Sequence, residues 1–263
     1  KVVRITLETG QSITGTLNHP VLPAGADWEN DQHYRYMSEL NPGDKIQVKI
    51  GSECYGYDTE YNLGYTNEWN SIDKININPE VAFILGSFSG DGYLKDNIMY
   101  FLDSNRIAYI HDILKSIGID KIYIDTLEKE KEVSQAIGIS YITSESRKML
   151  SVRVPQLVRF LKNHNFNKNH VSDLILTSSK ESQIEFIRGL LLASKGYINP
   201  KQIYYFNKLS YAQDIQAMLL NMGVLSKINY RLGNCEFEIY PQSYGKFNEL
   251  FDCGLGLLEL TVR

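Results

Sequence analysis

Two stretches of this chain repeat one another, and whatever fold it adopts must accommodate both copies. The first reads VAFILGSFSGDGYL from Val81 to Leu94, then NIMYF, then a helical stretch ending at Ile117-Gly118-Ile119. The second reads IEFIRGLLLASKGYI from Ile184 to Ile198, then QIYYF, then a helical stretch ending at Met222-Gly223-Val224. Gly92 to Gly118 spans 26 residues and Gly196 to Gly223 spans 27, so the copies stay in step from the end of their first helix to the end of their second. In the first copy Gly86 and Gly90 stand four residues apart, on one helical face. Two such faces can pack backbone to backbone, and the helix then delivers Asp91 to the point where the pair meets. A carboxylate held there beside a counterpart suits a divalent cation. The plainer role for Asp91 is a helix-terminal residue with Gly92 as the cap.

The remaining chain sorts around this repeat. Residues 1–50 alternate apolar and polar positions, with Val3, Ile5 and Leu7 before the turn Glu8-Thr9-Gly10-Gln11 and Ile13 and Leu17 after it, which predicts a hairpin. A Pro-Gly turn at Pro42-Gly43 leads into a further predicted strand over 45–50. From Gly51 to Pro79 the sequence is rich in Gly, Tyr, Asn, Asp and Ser with weak periodicity, as a connecting segment is. The expected division is therefore 1–79 and 80–263, with a helix over 80–89 opening the second part.

The motifs FILGSFSGDGYL and FIRGLLLASKGYI resemble the paired LAGLIDADG motifs of homing endonucleases, over roughly residues 80–263. The resemblance implies an α+β fold: two repeats forming a saddle of sheets along double-stranded DNA, with an acidic residue from each motif helix binding Mg²⁺ for phosphodiester cleavage. By that similarity Asp91 is the first metal-binding carboxylate. The second motif departs from the family here: aligning Gly189 with Gly86 puts Ser194 opposite Asp91, and aligning Gly196 with Gly92 puts Lys195 there. Neither is an acid, so the second acidic position is degenerate and two-metal cleavage is expected to be impaired. Lys168, between the repeats, resembles the lysine that family members place near the scissile phosphates, without the proline that usually follows; its alternative is a solvated loop lysine.

Upstream, Gly15-Thr16-Leu17-Asn18-His19-Pro20-Val21-Leu22 is similar to the TxxH block of inteins, which share the Hint fold with hedgehog autoprocessing domains. The resemblance gives Thr16 and His19 the task of polarising the peptide bond at the N-terminal splice junction, alongside the turn from Leu40 to Ile46. Alone, these residues also fit a plain strand end closed by Pro20. The expected whole is a small β-rich Hint-like segment followed by the LAGLIDADG saddle, an intein carrying an impaired endonuclease. The alternative is a non-catalytic DNA-binding module, or a structural one supporting protein splicing. Without an opening Cys or Ser and a closing His-Asn pair, the chain is expected to need flanking intein segments and host exteins to splice; His164-Asn165 lies inside the endonuclease-like part.

Charge bears on the DNA expectation. The formal net charge is -4, but residues 1–80 carry 6 basic and 12 acidic side chains and residues 81–263 carry 21 and 19, so only the second part has a basic balance. This favours weak rather than strong duplex binding. Tyr93, Tyr100, Tyr197, Tyr204 and Tyr205 are candidates for DNA-facing or for packing side chains. No apolar run is long enough to span a bilayer, and Cys54, Cys235 and Cys253 form no CxxC pair. An intracellular, cytoplasmic monomer with no membrane partner and reduced, mostly buried thiols is expected.

Overall fold

In the computed structural model, residues 1–26, 33–64, 72–102, 106–134, 140–166, 168–193, 204–206, 208–231 and 236–251 are described. The chain opens with the predicted hairpin, β1 (Val2–Thr6) against β2 (Ser12–Thr16), in the register Val2↔Thr16 to Thr6↔Ser12. Gly10 turns it at φ 93°, a conformation that favours glycine. Two short strands follow, β3 (Pro20–Val21) and β4 (Arg35–Tyr36). Over the predicted strand 45–50, the structure forms a single bridge, Pro23↔Ile46, flanked by Ala24 N–H to Lys45 O and Gln47 N–H to Leu22 O. Pro23 has no N–H to extend that ladder.

The expected connecting segment contains a small hairpin, β5 (Glu60–Asn62) with β6 (Lys74–Asn76), joined by a Lys74–Glu60 ion pair at 2.8 Å. Ile75 and Ile77 at its end are buried. The first repeat follows as α1 (Pro79–Asp91), β7 (Tyr93–Lys95), β8 (Ile98–Leu102), α2 (Ile107–Ser116), β9 (Ile122–Ser134), β10 (Ser140–Val152) and α3 (Pro155–Asn163). Asn78 caps α1 by accepting from Val81 N–H at 2.9 Å, and Pro79 takes the first helical position, where its missing N–H costs nothing. The sheet runs β7-β8-β10-β9, all antiparallel. Met99 and Phe101 of β8 and Leu150 and Val152 of β10 are buried, with Phe88, Leu85, Leu114 and Leu161 from the helices.

After the one-turn α4 (Asp173–Leu176) comes the second repeat: α5 (Lys180–Ala193), β11 (Tyr204–Phe206), α6 (Leu209–Asn221), β12 (Ser226–Arg231), β13 (Glu236–Pro241) and α7 (Tyr244–Phe251). Its sheet order, β11-β13-β12, matches the β8-β10-β9 order of the first copy. The repeat read from sequence is therefore a repeat of topology, and the chain is α+β.

Residues Lys1–Cys54 and Pro200–Cys253 form one compact unit, and the other is built on Tyr55–Asn199. Compactness thus cuts the chain differently from the contiguous division at residue 79: α5 belongs with the first repeat, while the rest of its copy belongs with the N-terminal hairpins. The tip of the β1–β2 hairpin explains the second association. Thr9 O accepts from Ile228 N–H and from the buried Gln216 Nε2, both at 2.9 Å, and Gln216 also donates to Ser226 O. Cys54, expected to be buried, is exposed; its backbone is clamped by both side-chain amide atoms of Asn221, at 3.0 and 2.9 Å. Cys235 and Cys253 lie outside the described residues. Among the described residues, no helix is long and apolar enough to cross a membrane.

Candidate functional site

The site begins with glycine. A Cβ built on Gly86 would stand 2.0 Å from Phe186 O, one on Gly189 2.1 Å from Phe83 O, and one on Gly90 2.2 Å from Ala193 Cβ. The helices α1 and α5 therefore touch backbone to backbone, as the Gly86–Gly90 face predicted. They run the same way, so Asp91 and Ala193 lie at the same end of the pair. The buried Ser87 hydroxyl donates to Gly189 O at 3.4 Å, which removes one polar cost of this close approach.

At that end Asp91 is the last residue of α1, with Gly92 as C-cap. Its Oδ2 accepts from Arg106 Nη2 at 2.9 Å, in an ion pair whose two side chains are 7% and 8% exposed. Arg106 is the N-cap residue of α2, so its backbone is fixed by the start of that helix. Lys168 arrives from the other side: its Nζ donates to Gly92 O at 2.9 Å and to Gly90 O at 3.4 Å. These are terminal carbonyls of α1, where a cation is favoured by the helix dipole. Lys168 holds a left-handed φ of 62°, and the two bonds help to keep it there. The residue as a whole is exposed, yet loss of water around its ammonium lowers its pKa, an effect that the Asp91 charge opposes. Lys168 and Lys162 also border a cavity of about 440 Å³ with Phe88, Tyr93, Leu94 and Phe166 in its wall.

The structure thus brings Lys168 to the end of α1 that carries Asp91, with its ammonium bonded to backbone carbonyls while the residue as a whole stays exposed. Ser194 and Lys195, and with them the second acidic position, lie outside the described residues. Arg106 went unnoticed in the sequence, where nothing but its basic charge before an apolar helix distinguishes it. A Mg²⁺ ion needs several oxygen donors. Here the described carboxylate is already engaged by a guanidinium and flanked by an ammonium. Among the described residues, no group of three or more His, Cys, Asp or Glu gathers that could hold a metal. The described donor set does not fit a divalent ion.

Across the sheet, the register places Tyr93, Tyr100, Ser151 and Tyr123 in one row over all four strands. Tyr93 and Tyr100 stack at 4.8 Å and 10°, and the Arg153 guanidinium lies 4.4 Å from the Tyr123 ring centroid. Tyr93 and Tyr123 are exposed. Tyr197 lies outside the described residues.

In the N-terminal hairpin, Thr16 ends β2 and His19 closes the turn after it, with His19 N–H donating to Thr16 O at 3.0 Å. Met37 N–H to His19 O and Ser38 N–H to Leu17 O back this turn, and both Thr16 and His19 are exposed.

Away from Asp91, Glu185 of α5 carries a second electrostatic feature. Burial pushes its carboxyl up; Arg188, which contacts it, opposes the shift, and Glu80 adds to it. A carboxyl with a raised folded-state pKa gives stability that is full below its unfolded pKa and is lost as pH rises through the folded one. Glu185→Gln, which mimics the protonated acid, is expected to match the wild type in acid and to melt higher near neutrality. Thermal melts across pH check this; a Gln variant that is less stable at neutral pH contradicts it.

No protein-family model matches the chain. It is 24% identical over 227 residues, 80% of its length, to the NrdEB subunit alpha of ribonucleoside-diphosphate reductase from Bacillus subtilis (strain 168). It is equally similar to the nrdEB subunit alpha of Bacillus phage SPbeta. The chain spans 18% of the length of either relative. Among solved structures, I-DmoI in complex with DNA and Mn is similar with a TM-score of 0.47 and 17% identity, covering 68% of this chain and 99% of that one. The homing endonuclease I-WcaI bound to its DNA recognition sequence is similar with a TM-score of 0.40 and 18% identity, covering 66% and 80%.

Proposed function

We propose that this chain is an intein-borne LAGLIDADG-type module that binds double-stranded DNA site-specifically and whose phosphodiester cleavage is impaired. The glycine-mediated α1–α5 pairing carries this reading, because it holds Asp91 at the end of the helix pair, where Lys168 reaches the terminal carbonyls of α1. The Tyr93–Tyr100–Tyr123 row with Arg153 supplies rings and a cation on the adjoining sheet, the side-chain types that contact bases and phosphates. In this reading the functional division is 1–79 for splicing and 80–263 for DNA. Thr16 and His19 serve the N-terminal splice junction. The similarity to a minor part of a reductase subunit supports an insert carried within a host protein of that kind.

The second reading, a module that supports splicing, is favoured by one observation. Gln216 and Ile228 of the second repeat hold the tip of the N-terminal hairpin, so that repeat acts as a scaffold for the segment bearing Thr16 and His19.

The test is binding of a duplex spanning the uninterrupted host-gene junction, set against an unrelated duplex. Preferential binding that weakens with salt is expected, with little double-strand cleavage when Mg²⁺ is added. Arg153→Ala is expected to weaken binding about tenfold, about 1.4 kcal/mol. Equal affinity for both duplexes overturns the DNA reading; splicing that is lost with Gln216→Leu once the flanks are supplied then favours the second.

A further inference from the structure

We propose that Arg106 takes the place of a divalent cation at Asp91, so that this carboxylate is a structural ion-pair partner and binds no metal. The inference rests on the reading of α1 and α5 given above and deepens it, by saying what has become of the carboxylate that the motif supplies.

Three observations carry it. The guanidinium is in hydrogen-bond contact with Oδ2 at 2.9 Å, and both side chains are buried, so the pair is shielded from the water that would otherwise exchange it for an ion. Arg106 is the N-cap residue of α2, so its backbone is held at the start of that helix, and its guanidinium can leave Asp91 only by breaking a buried charge pair. A second cation, Lys168, is tied to the carbonyls of Gly90 and Gly92 on either side of Asp91. A divalent ion entering here would meet two positive charges at short range, and the terminal carbonyls of Gly90 and Gly92 already accept from Lys168. Residue for residue, the end of α1 is built to neutralise one carboxylate with side chains.

The experiment needs no DNA, so its failure is distinct from failure of the DNA reading. Mn²⁺ is titrated into the full chain, and the backbone amides of Gly90 and Gly92 are followed by nitrogen-correlated NMR. The expected result is that stoichiometric Mn²⁺ leaves both signals as sharp as in metal-free protein. Selective broadening of these two amides overturns the proposal, and it does so in the wild type, without a variant that has to fold. In parallel, electron spin resonance of free Mn²⁺ compares the wild type with Asp91→Asn. Superimposable isotherms are expected; a binding site present in the wild type and lost in Asp91→Asn places a metal on Asp91 and refutes the assignment.

Discussion

Gly86→Ala is expected to destabilise the protein by about 3 kcal/mol or more, at the upper edge of the usual cost of overpacking a core. The added methyl would sit 2.0 Å from Phe186 O, and a peptide carbonyl inside a helix cannot turn aside as a side chain would. The two helices must move apart. Alanine is the better helix former by about 1 kcal/mol, so the packing loss has to exceed that gain to appear at all. Gly189→Ala meets Phe83 O in the same way and should cost a similar amount. The control is Gly245→Ala in α7, where a Cβ meets nothing within 4 Å; there the same substitution should be neutral or slightly stabilising. Urea midpoints of the three variants check the prediction, and equal midpoints for Gly86→Ala and Gly245→Ala would contradict it. The consequence reaches the site, since Asp91 and Lys168 are positioned by the end of α1 and would move with it.

The Gly86–Gly90 face was legible because small residues four apart in an apolar helix let a second helix approach closely. The repeat was legible for a similar reason, since each copy carries its own periodicity. Arg106 was not, because its partner lies fifteen residues away across a turn and no local spacing requires the pair. The β5–β6 hairpin escaped because three-residue strands of mostly polar residues carry too little alternation to stand out from a linker. The union of the N-terminal hairpin with the second repeat was the least legible feature of all. It depends on Gln216 meeting a carbonyl 207 residues away, and a glutamine in a helix gives no sign of what it will bond.

Breaking the Asp91–Arg106 pair from either side should also be costly, but unequally. Both side chains are buried, so removing one leaves the other as an uncompensated charge, at about 3–5 kcal/mol. Arg106→Met leaves Asp91 with Lys168 still nearby as a partial counter-charge. Asp91→Leu leaves two cations, Arg106 and Lys168, with their common anion gone, and is expected to be the more damaging of the two. The double variant Asp91→Leu with Arg106→Met removes both charges and should recover most of the loss, since hydrophobic side chains of similar volume can replace a buried ion pair at little net cost. Urea midpoints for the two single variants and the double decide it. A double variant as unstable as the sum of the singles would show that the two side chains act independently, and would remove the pair from any account of how the end of α1 is held.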